Sequence, residues 1–128
     1  MQTTALRIYG KNDLRLDDVQ LPDIGPDGVR VRIACDSLCM SSYKAAIEGG
    51  DHKRVPDRCD LTPTVVGHEF CGDIVEVGEN WKHKYKVGDK FVIQPAHYHK
   101  GSQMAPGYSY QFCGGDAQYG NVPIETLL

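Results

Sequence analysis

The sequence has no G-x-G-x-x-G fingerprint, so it offers no glycine turn over which a βαβ unit could lay a dinucleotide pyrophosphate. It has no run of 18 apolar residues, which argues against a membrane-spanning helix. The charged stretch MQTTALRIYGKNDLRL at the start does not resemble a secretion signal, and the expected location is cytoplasmic. No block of five or more like charges occurs, and 14 Lys and Arg stand against 17 Asp and Glu for a formal net charge of −3. Nucleic acid and anionic membrane are therefore not expected partners. Paired C-x-x-C spacings are also missing. The five cysteines, Cys35, Cys39, Cys59, Cys71 and Cys113, are odd in number and irregularly placed, so reduced thiols are expected, with metal binding open to a minority. Repeats, heptads and low-complexity tracts are lacking too.

What is present fits one domain, residues 1–128, long enough to hold a single core without staples. Short β-type segments separated by turn residues dominate: TALRIYG, LRLDDVQL, GVRVRIACDSLC, EFCGDIVEVG, DKFVIQP and AQYGNVPI. The fold is expected to be mainly β. In the third segment Val29, Val31, Ile33 and Cys35 alternate with Arg30, Arg32 and Ala34, the period of a half-buried strand with one largely charged face. Continuing that phase turns Ser37 and Cys39 inward. SSYKAAIEGG then reads as a short helix, with Ser41 or Ser42 as N-cap and Gly49-Gly50 as stop. Residues 51–63 and 94–116 read as loops, the second long enough to be functional or covered by a partner.

Three residues stand out for chemistry. Cys39 ends the strand at the helix start, where the positive helix terminus stabilises a thiolate and a metal-bound sulfur is well placed. The alternative is a small buried hydrophobe. His68 follows Gly67, whose missing side chain allows close backbone approach, and precedes Glu69, able to bind the same metal or orient the imidazole. A surface turn with a solvated carboxylate is the alternative for that pair. Together the three match a catalytic zinc site with an open position better than a closed site of four ligands.

G-H-E-x-x-G-x-I-V-x-V-G over residues 67–78, V-G-D-K-F over 87–91, D-S-L-C-M-S-S-Y-K upstream and G-D-A-Q-Y downstream resemble, in order, the signature of zinc-dependent medium-chain alcohol dehydrogenases. RIYGKNDLRL, DHKRVPD and APGYSYQ resemble that family's sugar-phosphate reductases. The resemblance implies a GroES-like, partly open β-barrel with one or two short helices, the family's Rossmann half being outside this chain. It implies Cys39, His68 and Glu69 around one catalytic zinc, with a further ligand beyond Leu128. Ser41 would take the alcohol proton, although an N-cap role is as good a reading of that residue alone. Around Cys39 the chain departs from the family's pattern: Met40 stands for glycine, Ser42 for aspartate, and Lys44 for the histidine that ends the proton relay. Lys44 could accept a proton only if its pKa fell well below its usual ~10.4; otherwise it is a fixed cation suited to an anionic substrate.

Lys53 and Arg54, flanked by His52 and Arg58, are candidate partners for a substrate phosphate, with a solvated loop as the alternative because Asp51, Asp57 and Asp60 balance them. Tyr108 and Tyr110 could line a cleft or a subunit contact, but packing explains them equally well. Only Cys113, with His97 and His99, stands where the family often places a structural zinc, so none is expected. The implied function is interconversion of an alcohol and a ketone on a sugar phosphate or polyol. NAD or NADP would bind through the absent half, and the full-length protein would be a homo-oligomer. A co-chaperonin-like protein-binding module without chemistry is the competing reading from another class. A zinc-free quinone reductase relative is a third, disfavoured by Cys39 and the His68–Glu69 pair.

Overall fold

The chain starts with a hairpin. In a computed structural model that describes residues 1–94, 97–99 and 102–127, β1 (Gln2–Gly10) pairs antiparallel with β2 (Asp13–Gln20) across a turn in which Asn12 takes a φ of 55°. A short polar side chain tolerates that left-handed geometry. β1 also pairs with β4 (Thr64–Val65), a strand the sequence reading left inside turn-rich surroundings. β3 (Gly28–Asp36) sits between β5 (Phe70–Val77) and β9 (Tyr119–Pro123), and β6 (Lys90–Val92) extends the far side of β5, all antiparallel. A small hairpin of β7 (His97–His99) and β8 (Ser102–Met104) falls in what was expected to be an unbroken loop. Isolated bridges, Ala5 with Ala117 and Ile93 with Leu127, link these parts. Among the described residues the sheets remain open, which agrees with a mainly β, partly open GroES-like barrel. Among the described residues, helix is limited to α1 (Met40–Glu48) and three single 3₁₀ turns.

Two details of β3 depart from simple alternation. Register shifts between Arg30 and Val31, and between Ile33 and Cys35, break the two-residue period, so Cys35 and Ser37 are exposed rather than inward. A bulge of this kind re-aims every side chain after it. Arg30, expected on a solvated face, is covered instead: it donates to Asn121 Oδ1 at 3.1 Å and to the Pro22 carbonyl at 2.6 Å, and pairs with Glu76 at 3.3 Å. Paired this fully, a guanidinium can be buried without a large desolvation cost.

The larger core lies against the four-stranded sheet, where Val29, Val31, Phe70, Ile74, Phe91 and Val122 pack together. A second cluster of Ile8, Ala45, Val55, Cys59, Val66 and Tyr108 joins β1, α1 and the two long connections. This second cluster is the floor on which the candidate site rests.

Candidate metal centre

Cys39 is the N-cap residue of α1, in extended backbone geometry (φ −120°, ψ 147°) and half-buried. The cap therefore lies two residues before Ser41 and three before Ser42, the two expected cap positions. No side chain caps it; the backbone carbonyl of Cys39 accepts from Ser42 N–H at 3.0 Å. That frees the Cys39 sulfur from helix duty and places Ser41 and Ser42 in the first helical turn.

His68 and Glu69 reach the same spot from the connection between β4 and β5. Gly67 has a φ of 98°, and a Cβ there would lie 2.3 Å from Asp36 Oδ2 and 2.9 Å from Asp116 N. Only glycine meets both demands, so the backbone can be drawn against β3 and the 115–116 segment; Gly115 N–H donates to the Gly67 carbonyl at 2.7 Å. Opposite, Gly107, at φ 88°, leaves no room for a Cβ, which would sit 2.7 Å from His68 N. The backbone entering His68 is thus wedged between two glycine-permitted approaches, and 12% of the His68 side chain is exposed.

Ligand atoms of Cys39, His68 and Glu69 all lie within 4.8 Å of one another. His68 Nε2 and Glu69 Oε1 are 3.3 Å apart. Tetrahedral zinc, with ligand distances of roughly 2.1 Å, spaces neighbouring N and O ligands by about 3.4 Å, so the pair has the separation of two ligands on one ion. Burial pushes the His68 pKa down, aided by Arg54 and opposed by Glu69, which favours the neutral imidazole a metal requires. His68 Nδ1 is buried without a partner, as is the Ser42 hydroxyl. One half-buried sulfur, one half-buried imidazole and one exposed carboxylate suit zinc with a free position.

Beneath the wedge, Asp36 and Asp116 form a carboxyl pair. Burial, followed by the hydrogen bond to Asp116, pushes the Asp36 pKa up to about 8, against opposing hydrogen bonds from the backbone N–H groups of Ser37 and Glu69. Two carboxyls this close cannot both ionise cheaply, so one proton is shared between them.

Tyr108 was unassigned in sequence, because a tyrosine after Pro-Gly carries no spacing signal. It is 1% exposed and lies between two imidazoles, with His52 stacked on it at 5.1 Å and His68 tilted at 5.2 Å. Burial pushes its pKa up; the Ser41 hydroxyl faces it and pulls the other way, although the two do not meet with hydrogen-bond geometry. Arg54 is half-buried in the same neighbourhood, while Lys53 is exposed. Lys44 is exposed on α1 and is not part of the three-ligand cluster. Tyr110 packs on the larger core instead. Cys113 is buried, and burial pushes its thiol pKa well up, so it makes a poor metal ligand at neutral pH. The expectation for His97 and His99 concerns side chains outside those described.

On one flank of α1 a cleft of about 430 Å³ runs past Cys39, lined by Leu6, Leu14, Leu38, Met40 and Tyr43. A larger one of about 550 Å³, between Asp23–Gly25 and Val75–Glu79, lies away from the cluster and holds none of these groups.

Among known proteins, the family described as the alcohol dehydrogenase GroES-like domain matches residues 25–128. The L-sorbose 1-phosphate reductase of Klebsiella pneumoniae is 46% identical over 125 residues, 98% of this chain and 30% of that protein. A mannitol-1-phosphate 5-dehydrogenase of Aliivibrio fischeri is 48% identical over 95% of this chain and 29% of its own length. Among solved structures, the 2R,3R-butanediol dehydrogenase of Bacillus subtilis superposes with a TM-score of 0.81 at 29% identity, covering 98% of this chain and 40% of that one. The chain thus spans about 30% of the length of the curated relatives it matches.

Proposed function

The chain belongs to the alcohol dehydrogenase GroES-like domain family, and from that premise we propose that it is the zinc-binding catalytic domain of an NAD(P)-dependent oxidoreductase. Its substrates would be an alcohol and the matching ketone on a sugar phosphate or polyol, such as glucitol 6-phosphate and L-sorbose 1-phosphate. The observation that carries this reading is the convergence of Cys39, His68 and Glu69 ligand atoms within 4.8 Å. Relatives named for sugar-phosphate and polyol alcohols support the substrate class.

Cys39 and His68 would hold the metal, with Glu69 as third ligand or as a carboxylate that exchanges with water. When bound, zinc supplies a Lewis acid that favours loss of an alcohol proton near neutral pH. The chain's own part is to place and move that proton. Ser41, freed from capping, offers a hydroxyl that both accepts and donates, and Tyr108 beside it provides a buried second hydroxyl. Lys44, exposed one turn along α1, would be a solvent-facing group beyond Ser41. The two glycine approaches that fix His68 limit its motion, as a metal ligand requires. The nicotinamide would be held by a separate cofactor-binding domain of a longer dehydrogenase.

Zinc content decides the matter. Purified from zinc-supplemented medium, the chain is expected to carry one equivalent by plasma mass spectrometry, and Cys39→Ala and His68→Ala each to lose it. A metal-free chain that assembles into a symmetric ring would instead favour the co-chaperonin-like reading.

A further inference from the structure

The backbone at Arg54 is held in place, yet its guanidinium has no carboxylate partner among the described residues. Its neighbour Arg58 is neutralised by Asp60 through two hydrogen bonds of 3.0 and 2.9 Å, and Lys11 is paired with Asp51 on the same loop. Arg54 makes no ion pair with any described carboxylate, and its Nε is fully covered without a hydrogen-bond partner. A buried guanidinium donor left open is costly, so such a group is normally satisfied by something.

The surroundings narrow what that something is. The backbone around Arg54 is clamped: Arg54 N–H donates to His52 Nδ1 at 3.1 Å. The Ser109 hydroxyl donates to the Arg54 carbonyl at 2.8 Å and accepts from Ala105 N–H at 3.1 Å. These bonds tie the 52–54 loop to the 105–109 connection that carries Tyr108. The Arg54 charge reaches His52, His68 and Tyr108. An imidazole carries no negative charge in either protonation state, and burial pushes the Tyr108 pKa up, so none of the three neutralises the guanidinium. Beside the ligand cluster, then, stands a preorganised cation with no carboxylate partner among the described residues and with an orphaned Nε donor.

We propose that Arg54 is the anion subsite of this centre, receiving the phosphate monoester of a phosphorylated polyol or ketose. Lys53, exposed beside it, has no part in the subsite beyond long-range attraction. This rests on the catalytic reading above and deepens it: the cluster handles the carbinol end, and Arg54 selects for phosphate at the other. A guanidinium offers two parallel N–H donors to phosphate, which a lysine cannot match, so an arginine here implies geometric selection and not charge alone.

The test is calorimetric titration of the zinc-loaded 128-residue chain with mannitol 1-phosphate, mannitol, inorganic phosphate and ADP. Mannitol 1-phosphate should bind more tightly than mannitol. Arg54→Met should weaken the phosphate ester and inorganic phosphate on the order of ten- to a hundredfold while leaving mannitol unchanged. Arg54→Lys should restore part of the loss, and Lys53→Met should change little. The Arg54 backbone bonds do not involve its side chain, so thermal unfolding of Arg54→Met should match the parent and exclude a folding defect. Equal binding of mannitol and its phosphate, no detectable phosphate binding, unchanged binding in Arg54→Met, or a loss confined to ADP would each overturn the assignment. A chain that holds zinc through Cys39 and His68 but shows no phosphate preference refutes the subsite and leaves the catalytic reading standing; a chain that holds no zinc refutes the latter.

Discussion

At the scale of single residues, the site is decided by which polar groups are left without partners. Arg54, Tyr108 and His68 each carry a buried atom with no hydrogen bond, and they adjoin the only three-ligand cluster found among the described residues. Arg30, buried elsewhere, is by contrast fully paired. The Asp36–Asp116 pair behaves differently, because its partner for each carboxyl is another carboxyl. An acid whose folded pKa lies near 8, above the unfolded ~3.9, binds a proton the unfolded chain releases. Its contribution to stability is therefore complete below about pH 4 and is lost as pH rises through about 8. In the metal-free chain, urea unfolding should show stability falling across that window, and Asp116→Asn should flatten the fall. Parallel pH profiles for parent and variant would sink the shared-proton account. None of these pairings was legible in sequence, because Asp36 and Asp116 are brought together only by the Gly67 and Gly115 backbones.

At the scale of elements, two short pieces of chain are exacting. One is the start of α1, where Cys39 in extended geometry ends the strand path and opens the helix. The serine-cap expectation failed here because a backbone carbonyl and a solvent-open terminus met the need that a cap would have met. The other is the Gly67 approach, which the sequence did signal, since a glycine immediately before a candidate ligand is the usual sign of close backbone packing. Gly67→Ala must cope with both a φ of 98° and a Cβ 2.3 Å from Asp36. It should cost on the order of 1–3 kcal/mol in urea unfolding and weaken zinc in a chelator competition. A full loss of stability without change in zinc affinity would separate the turn from the site. β3 shows the reverse case: its pattern placed Val29 and Val31 inside correctly, then misplaced Cys35 and Ser37, because a bulge leaves no mark on residue type.

For the whole molecule, the single core expected from length is divided among the described residues into three apolar clusters, a small one at Ala5, Val19 and Val65 and two larger ones that divide the work. Ile74 belongs to the core of the four-stranded sheet, whereas Ile8 belongs to the cluster with Val66, Ala45 and Tyr108 under the site. Truncating either to alanine should cost ~2–5 kcal/mol. Only Ile8→Ala should also weaken zinc binding, and equal effects on zinc from both would deny the division. With no glycine fingerprint for a pyrophosphate, the isolated chain should leave NADPH fluorescence unchanged and show no ketose-phosphate-dependent NADPH oxidation. The sequence by itself determined the β class, the family resemblance and the candidacy of Cys39, His68 and Glu69, because hydrophobic period, turn residues and short motifs are local properties of a chain. Tertiary structure alone decided that Tyr108 and Arg54 stand beside those ligands and that Lys53 does not share their burial. Contacts between residues 52–54 and 105–109 depend on how two irregular connections fold over one cluster, and irregular backbone has no period for a sequence to display.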